Sequence, residues 1–194
     1  MNPTKGKDSM TKYTMEMVLE YAKVFPENAD MGNPEGNKTA KSIHDKGGQY
    51  VSNLYFTSED QIEQLVQDGL DLKPMNSDRI LQGNADYGIG KYMKAKRLVR
   101  DDIKVFTQKN GTEVEVNYGG APGIVDLTNG AENKRWWSYE EGGPLGNGTK
   151  ALVQFDVYSN GAGVRIVNVG VVDHVPYEEN DNPNKEYDEM FKVA

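Results

Sequence analysis

The sequence predicts a mainly β fold, a five-stranded Greek-key barrel with one or two short helices and an acidic, flexible C-terminal tail. Apolar and polar residues alternate in several short segments from residue 49 onward, as they do in half-buried strands. A single amphipathic helix falls between the first of these segments and the next. The 21 glycines and 8 prolines suit a turn-rich chain. This element order favours a barrel of the OB type over a parallel α/β sheet.

Length and composition limit the possible functions. A chain of 194 residues accommodates one domain of roughly 150 residues plus irregular ends. The absence of cysteine excludes disulfides, thiol nucleophiles and cysteine-bound zinc. With only His44 and His174, we expect neither histidine catalysis nor a histidine-rich metal site.

The predicted organisation has three parts: an N-terminal extension (1–21), an OB-fold domain (22–176) and an acidic tail (177–194). Residues 14–23 are a possible short helix, and the polar stretch 28–48 is predicted to be a loop. No segment has the apolar run of a signal peptide or a membrane span. We therefore expect a soluble, cytoplasmic protein.

The first firm strand is GQYVSNLYF, and a helix follows it. Ser58 and Gln61 form the pattern of a capping box, and Gly69 is a predicted helix stop. Residues 70–90 are predicted to be irregular, with a possible mobile excursion.

The second half is predicted to be strands and turns. KYMKAKRLVR is followed by a hairpin that turns at Asn110-Gly111, since both residues tolerate positive φ. GIVDL is a short strand, and a long loop joins it to TKALVQFDVYS, which a turn at residues 160–163 connects to GVRIVNVGVVDHV. In TKALVQFDVYS the alternation places Ala151, Val153, Phe155 and Val157 inside and Lys150, Gln154, Asp156 and Tyr158 outside.

The most informative segment is a basic strand. Residues 91–109 hold seven basic side chains against two acidic ones, although the whole chain has a net charge of -8. An extended backbone places Tyr92, Lys94, Lys96, Leu98 and Arg100 on one face, with Met93, Ala95 and Val99 facing the core. A positive groove with aromatic rings suits single-stranded nucleic acid. The alternative is a solvated outer face of the barrel, which is about as common for a basic strand.

A second cluster lies in the glycine-rich loop, where both tryptophans are adjacent. Basic and aromatic neighbours can hold a base by stacking and cation–π contact, whereas one tryptophan could instead close the core; we expect both. Arg165, Tyr55 and Phe106 are weaker candidates. The predicted DNA-binding residues are Tyr92, Lys94, Lys96, Arg97, Arg100, Lys104, Lys134, Arg135, Trp136, Trp137, Tyr139, Lys150, Tyr158 and Arg165.

No residues form a convincing catalytic set, so we expect a non-enzymatic protein without cofactor or metal. The glycine-rich GGAPG and GGPLGNG lack the lysine and the strand-to-helix context of a phosphate-binding loop. Asp101 and Asp102 beside Lys104 suggest a nuclease only weakly, because no supporting acid or histidine is placed nearby.

The C-terminal tail is predicted to be flexible, because it cannot bury enough apolar surface to offset its ordering entropy. Its candidate partner-binding residues are Glu178, Glu179, Asp181, Glu186, Asp188, Glu189 and Phe191.

The element order resembles that of the single-stranded DNA-binding proteins of short-tailed bacteriophages. The similarity covers roughly residues 22–176, through MGNPEG, GGQYVSNLYF, SEDQIEQLV, KYMKAKRLVRD and GGPLGNGTKALVQFDVYSNGAGVRIVNVGVV. The resemblance implies an OB-fold that holds DNA during phage replication, recombination and repair. It also implies an acidic tail that contacts the polymerase, helicase or other replication proteins, and a possible homodimer. In that family the tail ends in an aromatic residue, which Phe191 matches approximately, since three residues follow it.

The working hypothesis is sequence-nonspecific binding of single-stranded DNA. A phage structural or assembly protein whose barrel binds protein partners is the main alternative, and a Mg²⁺-dependent nuclease is a second one.

Overall fold

A computed structural model describes residues 11–68, 79–158 and 163–178 of the chain. Within these residues the protein is mainly β, with an eight-stranded mixed sheet, a separate two-stranded sheet and three short helices. The mainly β prediction is confirmed.

The described elements fall in the following order. The strands are β1 (Thr11–Lys23), β2 (Gln49–Phe56), β3 (Leu81–Gln82), β4 (Lys91–Leu98), β5 (Ile103–Thr107), β6 (Glu113–Asn117), β7 (Gly123–Asp126), β8 (Arg135–Trp136), β9 (Thr149–Tyr158) and β10 (Gly163–Asp173). The helices are α1 (Lys38–Asp45), α2 (Glu59–Gln67) and α3 (Tyr139–Gly142), and 3-10 turns lie at Pro26–Asn28 and Ala131–Asn133.

Five strands of the large sheet close into a ring. The sheet order is β3-β4-β2-β1-β9-β10-β7-β8, and an additional pairing joins β4 to β10. The ring therefore runs β4-β2-β1-β9-β10 and returns to β4. Its pairs are antiparallel except the closing one, which is parallel and sets Lys96 beside Arg165. The short strands β3, β7 and β8 extend the sheet outside the ring.

The helix predicted at residues 14–23 is wrong, because these residues belong to strand β1. Tyr13, Met15, Met17 and Leu19 are buried at alternate positions, which is the period of a strand. β1 pairs with β2 on one side and with β9 on the other, so it is a central strand of the ring. A domain boundary at residue 22 would cut this strand, and residues 11–21 belong with the ring.

The core fills the inside of the ring. The inward positions predicted for β9, Ala151, Val153, Phe155 and Val157, are all buried, and Phe155 stacks on Tyr13 with 5.5 Å between ring centroids. They pack with Met17 and Leu19 of β1, Leu54 and Phe56 of β2, Met93 and Ala95 of β4, and Ile166 and Val169 of β10.

Helix α1 lies in the stretch that the sequence predicts to be a loop (28–48), so that prediction is wrong for residues 38–45. The Asn37 side chain caps it, because its Oδ1 accepts a hydrogen bond from the backbone N–H of Ala40 at 2.9 Å. The rest of the stretch is irregular apart from the 3-10 turn and an isolated bridge between Asp30 and Gln49.

Helix α2 occurs where the sequence predicts it, but its cap differs. Ser58 is the N-cap residue, yet its side chain makes no capping hydrogen bond. Gln61 instead accepts a hydrogen bond from the backbone N–H of Thr57 at 2.9 Å and donates one to the carbonyl of Glu16 at 2.8 Å. The amide of Gln61 therefore ties the helix start to β1. The predicted stop at Gly69 lies outside the described residues.

The β5–β6 hairpin forms the two-stranded sheet, as the sequence predicts. Gly111 has φ +82° in its turn, whereas Asn110 does not adopt a positive φ. The turn predicted at residues 160–163 falls mostly outside the described residues. Of the stretch predicted to be irregular at 70–90, residues 70–78 lie outside them, and residues 79–90 are irregular apart from β3.

Candidate nucleic-acid interface

The outer face of β4 carries the predicted basic strand. Lys94 and Lys96 are exposed and Tyr92 is partly exposed, while Met93 and Ala95 on the other face are buried. The predicted alternation is therefore confirmed over residues 92–96. Lys94 lies opposite Asn53 of β2, and Lys96 lies between Val51 of β2 and Arg165 of β10.

Two further cations adjoin this strand, and the sequence pattern did not identify them. The pKa of Lys96 is lowered, chiefly because its ammonium group is partly buried, and then because Lys94, Lys46 and Arg79 are close; Asp30 opposes the shift. Lys46 follows α1 and Arg79 precedes β3, so only the folded chain brings them to β4. We call Tyr92, Lys94, Lys96, Lys46 and Arg79 the basic face.

The lysines at the centre of the basic face have no acidic partner in the part of the chain that the structure describes. Neither Lys94 nor Lys96 is within 4.0 Å of a described carboxylate oxygen. By contrast Lys91, at the start of the same strand, pairs with Glu59 at 2.7 Å. Among the described residues the central lysines are therefore not neutralised by a direct ion pair, and Asp30 acts on Lys96 only from a longer distance.

Tyr92 is held in place by Tyr55, its neighbour across the β2–β4 pairing. It stacks on Tyr55 with centroids 5.0 Å apart and planes 26° from parallel. Tyr55 is itself buried, donates a hydrogen bond from its hydroxyl to Glu20 at 3.0 Å and accepts one from the backbone N–H of Asn84 at 3.0 Å. Burial is the main reason that the pKa of Tyr55 is raised to about 12. Tyr55, a weaker candidate for DNA contact, therefore supports Tyr92 and is not itself exposed.

Arg97 does not belong to the basic face, contrary to its place among the predicted binding residues. It occupies the inward register of β4, two positions after Ala95, and is only 8% exposed. Its guanidinium donates to the carbonyl oxygens of Ile166 and Val167 at 3.2 Å and of Tyr118 at 3.3 Å. Burial, followed by the nearby Arg165, lowers its pKa to about 10. Arg97 thus links β4 to β10 by hydrogen bonds on the inner side of the ring.

Arg165 is partly buried beside Lys96. Its guanidinium donates to the carbonyl of Tyr118 at 2.8 Å and lies 3.7 Å from the carboxylate of Asp156. Asp156, predicted to face outward, is buried at this junction. The positive charge of Arg165 is therefore partly balanced within the protein. The side chain of Tyr158, further along β9, lies outside the described set.

Arg100 lies beyond the end of β4, at the base of the β5–β6 hairpin. Its guanidinium makes two hydrogen bonds to the carboxylate of Asp102, at 2.8 and 2.6 Å, and lies 4.5 Å from the centroid of the Tyr118 ring. Lys104 and Phe106 follow on β5, and both are exposed.

The two tryptophans of the glycine-rich loop point in different directions, as expected. Trp136 on β8 is 75% exposed, next to the exposed Lys134. Trp137 packs against the core, donates from Nε1 to the carbonyl of Gly143 at 3.0 Å and contacts the ring of His174 edge-on at 4.6 Å. Tyr139 packs edge-on against Phe25, with centroids 5.0 Å apart. These two rings therefore have structural roles.

The fold brings only part of the predicted set together. Tyr92, Lys94 and Lys96 lie side by side with Arg165 adjacent. Arg135 and Trp136 lie on β8, at the edge of the sheet. Arg135 pairs with Asp126 of β7 at 3.1 Å. Lys150 is exposed on β9, which lies across the ring from β4.

The predicted tail falls almost entirely outside the described residues. Glu178 is exposed, and the other tail candidates, Glu179, Asp181, Glu186, Asp188, Glu189 and Phe191, lie beyond the last described position. Their role in binding a partner stays a prediction.

Three observations bear on other classes of site. The described residues contain no cluster of three or more histidine or acidic side chains suited to a metal ion. No helix among them is long and apolar enough to cross a membrane. No protein-family model matches the chain, and a search of curated proteins found no significant match.

Proposed function

We propose that the protein is a non-enzymatic, sequence-nonspecific binder of single-stranded DNA. The observation that carries the proposal is the pair of exposed lysines on β4, Lys94 and Lys96, which have no described acidic partner and lie beside Tyr92. Phosphates would contact the ammonium groups, and a base would stack on the tyrosine ring.

The aromatic residue favours a single strand over a duplex. In a duplex the faces of the bases are covered by their neighbours, whereas an unpaired base exposes a face that can stack on tyrosine for roughly 1–3 kcal/mol. Tyr92 suits this role, because its stacking on the buried Tyr55 fixes its ring and lowers the entropy lost on binding.

The order of strands in the ring supports an OB-type assignment. Its members, taken along the chain, are β1, β2, β4, β9 and β10. The first three pair successively, β9 returns to β1, and the last pairs with both β9 and β4, as expected for a five-stranded Greek-key barrel. In OB-folds the outer face of the second and third strands binds oligonucleotides, and here that face belongs to β2 and β4.

The biological setting follows from the resemblance to phage proteins. We propose that the protein protects single-stranded DNA during phage replication, recombination and repair in the host cytoplasm. The acidic tail would contact replication proteins such as the polymerase or helicase, and the protein would form a homodimer.

Fluorescence anisotropy with labelled oligothymidine tests the proposal, with a duplex of equal length in parallel. We expect tighter binding to the single strand, with affinity falling as salt rises by a log–log slope of about -0.7 per neutralised phosphate. Lys94→Glu should weaken binding and reduce the slope by about 0.7, and Lys94→Glu combined with Lys96→Glu should reduce it by about 1.4.

Lys12→Glu is the matched control. Lys12 is an exposed lysine on β1, across the ring from β4, so the substitution changes the net charge equally at a distance from the basic face. Equal loss of affinity in Lys94→Glu and Lys12→Glu would reject the basic face as the site. Absence of oligothymidine binding at low salt would reject the function and favour a protein-binding role in phage structure or assembly.

A further inference from the structure

The β5–β6 hairpin is a separate arm that continues from β4. Its ladder runs from Thr107 opposite Glu113 to Ile103 opposite Asn117. Two backbone hydrogen bonds extend the pairing to its base, from Tyr118 N–H to the Asp102 carbonyl at 3.1 Å and from Gly120 N–H to the Arg100 carbonyl at 2.7 Å. We call residues 100–120 the arm. At about 3.4 Å per residue, the five paired positions of β5 span roughly 17 Å.

The arm exposes large apolar side chains. Ile103, Val105 and Phe106 are 55%, 58% and 46% exposed. The arm forms its own two-stranded sheet and shares no ladder with the ring. An isolated hairpin is at best marginally stable in water, and clustered apolar side chains on a surface commonly mark an interaction site. The arm therefore has the features of a segment whose exposed apolar side chains are covered when a partner binds.

The two faces of the arm differ in charge. Side chains alternate along a strand, so Lys104 and Phe106 lie on one face, which continues at the base into Arg100 stacked on Tyr118. Asp102, which also lies on this face, is bonded to Arg100. Ile103 and Val105 lie on the opposite face, together with Glu113 and Glu115 on β6.

We propose that the face of the arm with Lys104 and Phe106 is a second contact site for single-stranded DNA. Phe106 would stack on a base, and Lys104 would contact a phosphate. The inference extends the proposed function and rests on it. β4 ends at Leu98 and the arm begins two residues later, so the arm adjoins the end of the strand that carries Lys94 and Lys96.

The charges on the two faces of the arm favour single-stranded DNA as the ligand of the face with Lys104 and Phe106. The chosen face combines an aromatic ring with a lysine, and its acidic residue Asp102 is already bonded to Arg100. Lys109 adds a positive charge in the exposed turn. The opposite face presents two glutamates, which would repel phosphate. The arm is therefore suited to bind a polyanion on one side only.

Phe106→Ala and Val105→Ala form the decisive pair, because the two residues are adjacent, exposed and on opposite faces of the same strand. We expect Phe106→Ala to weaken oligothymidine binding by about 5- to 150-fold, the range for loss of one base stack, with an unchanged salt slope. Val105→Ala should leave the affinity within about twofold. Neither side chain belongs to the buried core, so both variants should keep the wild-type melting temperature.

Lys104→Gln and Glu115→Gln form the second pair. Loss of one phosphate contact in Lys104→Gln should reduce the salt slope by about 0.7, whereas Glu115→Gln should not reduce it.

The outcomes separate the two proposals. If the wild type binds oligothymidine but Phe106→Ala and Val105→Ala bind equally, the arm proposal is wrong and the proposed function stands. If the wild type does not bind, the proposed function itself fails. If sedimentation velocity shows that Phe106→Ala converts a dimer to a monomer with unchanged affinity per protomer, the arm joins two copies of the chain, which also overturns the proposal.

Discussion

Neighbouring residues of β4 have opposite roles because side chains alternate across the strand. Lys96 is exposed and has no described acidic partner, while Arg97 is buried and donates its hydrogen bonds to backbone carbonyls of β10 and the chain near Tyr118. The local net charge read from the sequence includes both residues, so it overestimates the number of cations on the basic face. Arg97 is better understood as part of the structure, because its removal would leave buried carbonyl oxygens without a donor and would leave Arg165 as the remaining described cation beside the buried Asp156.

If Lys96 contacts phosphate as proposed, its lowered pKa should make DNA binding sensitive to pH. Its pKa lies below the usual 10.5, so raising the pH removes its charge before that of an ordinary lysine. Phosphate favours the protonated ammonium, and binding should therefore take up a proton and weaken as the pH rises through the lowered pKa. Anisotropy titrations between pH 7 and about 10.5 measure this loss.

Lys96→Arg is the control variant for this pH dependence, since arginine stays charged throughout that range. We expect its affinity to fall less at high pH than that of the wild type. Identical pH profiles for the two proteins would show that deprotonation of Lys96 does not cause the loss of DNA affinity.

Strand β1 shows how composition can conceal an element. Tyr13, Met15, Met17 and Leu19 recur at every second position, as in a strand, but Val18 between the last two is also apolar and buried. Methionine, leucine, glutamate and lysine are moreover good helix formers. Tyr21, which has φ +49°, and a register shift between Glu20 and Lys23 then interrupt the strand near its end. These interruptions break the alternation of buried and exposed residues just before the core residues Ala22, Val24 and Phe25.

Met17→Ala tests the central place of β1. Met17 is fully buried, so its truncation should cost about 2–5 kcal/mol of unfolding free energy, and the melting temperature should fall by roughly 10 °C. The adjacent exposed Glu16→Ala should change the unfolding free energy by no more than about 0.5 kcal/mol. Equal melting temperatures for the two variants in thermal denaturation would place residue 17 outside the core.

Other elements were predictable to different degrees. Alternation identified β2, β4, β9 and β10, because each buries one face or both. The parallel pairing that closes the ring was not predictable, since it joins Lys96 and Arg165 from distant parts of the chain. For the same reason no local pattern indicated that Lys46 and Arg79 adjoin Lys96.

At the scale of the whole molecule, opposite charges are separated along the chain. The net charge is -8, yet the basic face collects cations on one side of the ring while residues 177–194 hold six acidic and two basic side chains. Such a separation would reconcile an acidic protein with the proposed anionic ligand, because the local field at a site, and not the net charge, attracts phosphate.

Deleting residues 178–194 tests whether the acidic segment competes with DNA. We expect the affinity for oligothymidine to stay the same or rise, with a larger rise at low salt where charges are less screened. Replacing the segment by an uncharged Gly-Ser sequence of equal length controls for its bulk. Weaker binding after either change would mean that the tail assists binding.

The closed ring also governs when the protein can fold. Residues 11–19 of β1 pair with residues 149–157 of β9, and the ring closes only when β10 meets β4. At about 5–20 residues per second, a ribosome takes on the order of ten seconds to synthesise the chain between β1 and β9. Until β9 is made, β1 lacks its partner on one edge and Met15 and Met17 lack part of their cover, so we expect the nascent chain to be prone to aggregation during that interval.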